Sequence, residues 1–318
     1  MERILDYRVG QPLPKWHGGV ATIGVFDGLH LGHRAILDRT LAWARTEQRP
    51  ALLITFGVHP DLVVHGRAPE PLLSLDHRLR EVGRAGIDAA LVLQFDAALR
   101  ELSAEAFVEK ILVGSLDVHG IVLGHDTAVG RDRRGDAERL TALGAQHGFE
   151  VASVGRIAVD GEIVSSTRIR ELLKQGELDA AARLLGRSPS VLGTVVHGDE
   201  RGRKLGFPTA NLDAESECHP GDGVYVVLVL AGKSGERRFG GVANIGRRPT
   251  FEKGRQGDAA LVEVHILDFS GDLYGERLEV VFLKRLREER KFASADELVR
   301  QIEVDRAAAE EFFRRNRP

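Results

Sequence analysis

What most narrows the fold of this chain is a change of rhythm near residue 186. Up to that point short β-rich runs alternate with longer helical patterns, and beyond it β-rich runs follow one another with only turns between them. Alternation of the first kind marks a parallel α/β sheet, because parallel neighbours need a crossover, usually helical. The strand candidates are Val20 to Phe26, Ala51 to Phe56, Ala89 to Phe95, Val118 to Leu123 and Val151 to Ile157. Between them, Ile36, Leu37, Leu41 and Trp43 recur at helical spacing along Arg34 to Glu47, as do Phe107, Val108, Ile111 and Leu112 along Ala104 to Leu112. Right-handed crossovers put ligands at the carboxyl ends of such strands.

Gly186-Arg187-Ser188-Pro189-Ser190 breaks this pattern. Ser190 to Val196, Val224 to Leu230, Arg238 to Ile245, Ala260 to Phe269 and Leu278 to Leu286 then read as strands separated by Gly and Asp turn signals, which predicts an antiparallel sheet or small barrel. Ser294 with Glu297 three residues later is a capping-box pattern, so a closing helix is expected to run to about Arg314. The expected domains are 1–186 and 187–318, and at 318 residues each can bury its own core.

Composition narrows the function. With 44 basic against 47 acidic side chains the net charge is −3, which gives no bulk electrostatic case for nucleic acid. A small barrel that binds single strands also needs stacking aromatics, and this chain has only 3 tyrosines and 2 tryptophans. Met1-Glu2-Arg3-Ile4-Leu5-Asp6 carries charges where a signal peptide needs an apolar core, and no later run approaches roughly 18 uncharged apolar residues. Cys218 is the single cysteine, so no internal disulfide can form and a reducing compartment fits. A cytoplasmic enzyme without membrane or nucleic-acid partners is expected, and the sequence is silent on oligomeric state.

Three blocks carry chemistry. The first, Gly24 to His33, places His30-Leu31-Gly32-His33 between a strand and a helix, with Gly28 and Gly32 allowing close backbone approach. Unpaired amides and the dipole at a helix start favour phosphate, and imidazoles can stabilise charge on a phosphate under attack. Exposed histidines or a zinc site are the other readings of that spacing, zinc being the weaker because no third ligand stands at metal spacing. The second block, Val164-Ser165-Ser166-Thr167-Arg168-Ile169-Arg170, joins capping hydroxyls to two arginines at another predicted helix start. In the third, Gly198, Gly202 and Gly206 alternate with Arg201, Arg203 and Lys204 before Phe207-Pro208-Thr209-Ala210-Asn211. That pattern suits either a cationic flap over phosphates or a solvated hairpin loop, and Thr209 and Asn211 offer oxygen ligands to Mg²⁺.

An early His-x-Gly-His with a late Ser-Ser-Thr-x-x-Arg resembles the nucleotidyltransferases. The block from Gly198 to Asn211, followed by Gly223-Val224-Tyr225, Gly241-Val242-Ala243-Asn244-Ile245-Gly246, Arg248-Pro249-Thr250-Phe251 and Glu263-Val264-His265, resembles riboflavin kinase. In this order, over nearly the whole length, the chain resembles the prokaryotic bifunctional riboflavin kinase/FAD synthetases. The resemblance implies a Mg²⁺-ATP site at Thr209 and Asn211, with Gly198, Lys204, Gly206 and Pro208 around the phosphates and Glu263 as general base toward the riboflavin hydroxyl. It implies a second ATP site in the first domain, with His30 and His33 catalytic and with Gly24, Asp27, Gly28, Gly32, Ser165, Ser166, Thr167 and Arg168 binding the nucleotide. Asp126, and Arg287 with Phe292 in the Leu286-Arg287-x-Glu289-x-x-Phe292 segment, are the implied flavin contacts. Riboflavin would become FMN, and FMN would become FAD with release of pyrophosphate.

Two stretches depart from the family. Thr55-Phe56-Gly57-Val58-His59-Pro60 lacks the acidic residue and first proline usual there, and Asp126-Thr127-Ala128-Val129-Gly130 stands where Asp-Phe-x-Phe-Gly is common. Thr127 and Val129 are therefore expected to weaken capture of FMN more than of ATP. Gly232-Lys233-Ser234 is not a phosphate loop, since the glycine that motif needs five residues earlier is Val227, and it reads as a hairpin turn.

Overall fold

The computed structural model describes the chain apart from residues 12, 14, 15, 17, 199–205, 216, 233–234, 248–259 and 317–318. Lys204 and its neighbours in the glycine-spaced loop, Lys233-Ser234, and the Arg248 to Phe251 stretch therefore lie outside the described residues. Two compact units form, one of Met1–Pro69 with Leu75–Ser165 and one of Glu70–Ser74 with Ser166–Pro318.

In the first unit the elements run β1 (Glu2–Tyr7), β2 (Val20–Ile23), α1 (Leu31–Thr46), β3 (Ala51–Phe56), α2 (Pro60–His65), α3 (Leu75–Ala85), β4 (Ala89–Leu93), α4 (Ala97–Arg100), α5 (Ala104–Phe107), β5 (Gly120–Gly124), α6 (Ala137–His147), β6 (Glu150–Val154) and the short pair β7 (Ala158–Val159) and β8 (Glu162–Ile163). The first six strands form one sheet in the order β1-β4-β3-β2-β5-β6. Its pairings are all parallel. β2, β4 and β5 are buried at every position, as expected of parallel strands covered on both faces.

β2 pairs with β3 on one side and β5 on the other, so the chain winds outward in opposite directions from this strand. A crevice opens beyond the carboxyl ends at such a reversal, bounded by the loops that follow β2 and β5. β1 is an addition to the expected set. Its charged residues hide the strand pattern, yet they suit an edge position that pairs only with β4. The expected helix from Ala104 continues past α5 as wider π-helical turns over Val108–Val113, with Phe107, Val108, Ile111 and Leu112 buried as their spacing foretold.

The second unit contains α7 (Ser166–Gln175), α8 (Leu178–Leu185), β9 (Ser190–Val196), β10 (Ala210–Asp213), β11 (Gly223–Ala231), β12 (Arg237–Arg247), β13 (Ala260–Ile266), β14 (Arg277–Arg287) and α9 (Ala295–Arg315). The strands close into a barrel in the order β10-β13-β12-β11-β14-β9. β10 is too short and polar to show in the sequence, and it is the piece that closes the cylinder between β9 and β13. α9 lays Ala309, Phe312 and Phe313 against Val226, Val242 and Leu267, which covers the outside of the barrel there. Its start follows the expected cap, with the Ser294 hydroxyl accepting from Glu297 N at 3.2 Å, while the Glu297 carboxylate accepts from Ala293 N at 3.0 Å.

The rhythm change at 186 is the end of α8, where Gly186 takes the left-handed conformation with φ 73°. By packing, α7 and α8 belong with the barrel: Gly221 N donates to Leu173 O at 2.9 Å, and Leu172, Leu173, Leu178, Ala181, Leu184 and Leu185 are buried. A fragment starting at Ser166 is therefore expected to melt above one starting at Arg187. Even ~2 kcal/mol of lost burial lowers the midpoint of a domain this size by about 4–8 °C. Equal midpoints in a thermal scan would show that the helical pair adds nothing to the barrel.

Candidate active sites

Beyond β2 the backbone makes an unusual turn. Phe26, Gly28 and Leu29 have φ of 54°, 81° and 43°. Only glycine takes this region without strain, so Phe26 and Leu29 each cost on the order of 1–3 kcal/mol unless their surroundings fix them. The surroundings do: Phe26, Asp27, Leu29 and His30 are all buried. His30 caps α1, its Nδ1 accepting from His33 N at 3.3 Å, which leaves the proton of a neutral ring on Nε2. The His30 and His33 rings stack with centroids 3.7 Å apart, and the Phe26 ring lies 5.1 Å from His33.

His33 titrates well below the usual histidine range, first because it is buried and then because His30 and Arg78 add positive charge beside it. Its Nδ1 is buried with no hydrogen-bond partner among the described residues. The stacked His30 and His33 imidazoles thus stand at the first turn of a long helix, a setting suited to phosphate. Arg78, from α3, carried no sequence signal as part of this site. It is buried, donating from Nη1 to Val25 O and from Nη2 to Phe56 O at 2.7 Å each. Desolvation lowers its pKa to about 10, and Asp27 opposes that shift.

The loop after β5 holds Asp126, exposed, beside Thr127, whose Oγ1 accepts from Gly124 N at 3.0 Å. Val129, the other residue standing where an aromatic ring is common, is turned inward. It exchanges two 2.9 Å backbone bonds with Gly135 and belongs to the buried core. Of the second sequence block, Ser165 ends the first compact unit, while Ser166, Thr167 and Arg168 open α7 in the other, Arg168 pairing with Glu171 at 3.4 Å.

In the barrel, strand register assembles the candidate kinase residues. Glu263 on β13 stands opposite Asn211 on β10 and opposite Asn244 on β12. Directly opposed residues share a face, so the three form a row across adjacent strands. Val262 and Val264 point into the barrel and are fully buried, which puts this row on the outer surface. Gly198 is required beside it, because a Cβ there would run into the Asn211 carboxamide. Asn211 Oδ1 is buried without a partner among the described residues, an oxygen available to a hard cation. Thr209 follows Pro208, whose carbonyl is held by His265 Nδ1 at 2.9 Å while the Phe207 ring meets His265 edge-on.

Arg287 and Phe292 are brought together. The guanidinium makes a paired contact with buried Asp305 of α9, at 2.8 Å from Nη2 and 3.0 Å from Nε, and lies 5.6 Å from the Phe292 ring centroid. Glu289, in the same segment, sets its carboxylate over Gly246, where any side chain would collide with it. Neither Asn244 nor Glu289 was assigned a role from sequence, although both stand inside motifs that carry the resemblance.

Among the described residues no helix is long and apolar enough to cross a membrane. A riboflavin kinase family model matches residues 185–313, and a FAD synthetase family model matches residues 13–168. The bifunctional riboflavin kinase/FMN adenylyltransferase of Escherichia coli K12 is 40% identical over 302 residues, covering 95% of each chain. The Pseudomonas fluorescens protein of the same name is 43% identical over 298 residues, covering 93% of each. Among solved structures, a Streptococcus pneumoniae protein described as a macrolide-efflux protein matches with a TM-score of 0.82 at 32% identity, covering 97% of this chain and 98% of that one. On both halves, in the same order and over almost its whole length, the chain belongs to the bifunctional riboflavin kinase/FMN adenylyltransferase family.

Proposed function

We propose that this chain makes FMN from riboflavin and ATP in its barrel, and FAD from FMN and a second ATP in its parallel-sheet unit. The row Asn211–Glu263–Asn244, beside the Pro-Thr-Ala-Asn block, is the observation that carries the kinase half. Glu263 takes the proton from the riboflavin 5′-hydroxyl as its oxygen attacks the γ-phosphorus, and ADP leaves. Phosphoryl transfer asks little of the protein beyond positioning and charge stabilisation, so this short set of groups is sufficient. Thr209 and Asn211 would hold Mg²⁺, which when bound neutralises phosphate charge; Gly198, Lys204, Gly206 and Pro208 complete the nucleotide's surroundings in this reading. Arg287 and Phe292 border the flavin.

In the first unit a phosphate oxygen of FMN attacks the α-phosphorus of ATP, forming the FAD pyrophosphate bond and expelling pyrophosphate. His30 donates from Nε2 to the triphosphate and His33 lies stacked against it, while Gly24, Asp27, Gly28 and Gly32 shape the turn. Ser165, Ser166, Thr167 and Arg168 are assigned to the same nucleotide, and Asp126 to the flavin. The functional domains are taken as 1–186 and 187–318. The reading places the reactions in the cytoplasm, where ATP and a reduced Cys218 coexist, with small molecules as partners and no nucleic acid.

Two variants separate the halves. Glu263→Gln is expected to keep ATP binding and lose about 10²–10⁴-fold in FMN formation, while FAD formation from supplied FMN continues. His30→Ala is expected to do the reverse. Chromatographic assay of both products reads this directly, and wild-type FMN turnover in the glutamine variant would remove Glu263 from its role.

The β5 loop gives a further test. Thr127→Phe is expected to lower the FMN concentration for half-maximal FAD formation by about 2–10-fold, the equivalent of 0.5–1.5 kcal/mol of stacking. Val129→Phe is expected instead to destabilise the first unit by about 1–3 kcal/mol through overpacking. Melting curves and FMN titrations of the two single variants decide it, and a Val129→Phe protein with unchanged melting and tighter FMN use would contradict the burial argument.

A further inference from the structure

Arginine is rarely buried, because a guanidinium removed from water must have both its charge and its donors answered. Arg78 is 6% exposed, and its position shows what the burial achieves. β2 ends at Ile23 and β3 at Phe56, side by side in the sheet. Nη1 takes the carbonyl of Val25, just past the first strand, and Nη2 takes the carbonyl of Phe56 at the end of the second. One planar fork therefore spans the carboxyl ends of two neighbouring strands at the point where the ligand crevice opens. The left-handed run at Phe26, Gly28 and Leu29 begins at the next residue after the clamped Val25 carbonyl. A strained turn persists only where its neighbours over-determine it, and this clamp is one of the constraints.

We propose that Arg78 is a positioning residue for adenylylation, holding the turn that presents His30 and His33 by bridging the carboxyl ends of β2 and β3. The inference rests on the assignment of that turn to ATP. Arg78 also places a positive charge near His33. The charged or titratable groups around His33 are His30, stacked on it, and Arg78 from α3, with Asp27 facing Arg78. Charge and fork make different demands. Lysine supplies the charge as a point and cannot span two carbonyls, whereas methionine fills the space and supplies neither.

The test uses the full-length protein with Arg78→Lys and Arg78→Met, and reads His33 ring titration by NMR without ATP alongside FAD formation from FMN and ATP. The sign follows from the native state: His33 titrates low partly because Arg78 repels its proton, so removing that charge moves its titration to higher pH. Arg78→Met is expected to show this upward shift, and Arg78→Lys to titrate as the wild type does. Both are expected to lose about 10²-fold in kcat for FAD, the scale of an ångström-sized misplacement, with riboflavin phosphorylation by the barrel as the internal control. If Arg78→Met does not fold, the lysine variant still separates fork from charge. Wild-type kcat for FAD in Arg78→Lys, or an unmoved His33 titration in folded Arg78→Met, would overturn the proposal. Should the wild type make no FAD at all, the ATP assignment falls, and the titration still reports on Arg78.

Discussion

β13 is hydrogen-bonded to β10 on one side and β12 on the other, and the candidate kinase site follows from that pairing. Because side chains alternate with a period of two, a one-residue slip at either seam would turn Asn211 or Asn244 to the opposite face from Glu263. Closure of the barrel prevents the slip, since each strand is held from both sides and no edge remains to slide. The fully buried Val262 and Val264 fix the same register from within. An outer-face site is thus built from an inner-face constraint, and at Gly198 the backbone comes close enough that a Cβ would crowd Asn211.

The first unit solves a comparable problem by different means. Parallel pairing of β2 with β3 and β5 creates the crevice, but no ladder reaches into the turn that follows β2. That turn is held by burial of Phe26 and Leu29, by the His30 cap, and by the Arg78 fork. The charge on that fork bears on His33 as well, so the group that secures the backbone also shapes the electrostatics of the imidazole pair.

Most of the architecture was legible in the sequence, for identifiable reasons. Ala51–Phe56 and Ser190–Val196 match their expected limits, since long apolar or alternating runs leave little choice. β1 and β10 escaped notice because an edge strand tolerates charge and a four-residue closing strand has too few positions to show a period. The residues proposed to handle phosphate are readable as motifs. Arg78 was not, because an arginine on an amphipathic helix looks like any solvated charge until the fold buries it. The burial of Val129 was equally hidden: its place in a family motif says nothing of its pairing with Gly135, which commits it to the core. The boundary at 186 was a true change in secondary structure, and packing groups the two preceding helices with the barrel.

The central claim is that one chain carries two successive activities at two separate sites. A time course of the purified protein with riboflavin and excess ATP in the presence of Mg²⁺, resolving riboflavin, FMN and FAD by chromatography, tests it most directly. The account predicts that FMN rises first and FAD follows at its expense, with one pyrophosphate released per FAD. FMN that accumulates without FAD, even when supplied at saturation, would contradict the account and leave a kinase alone.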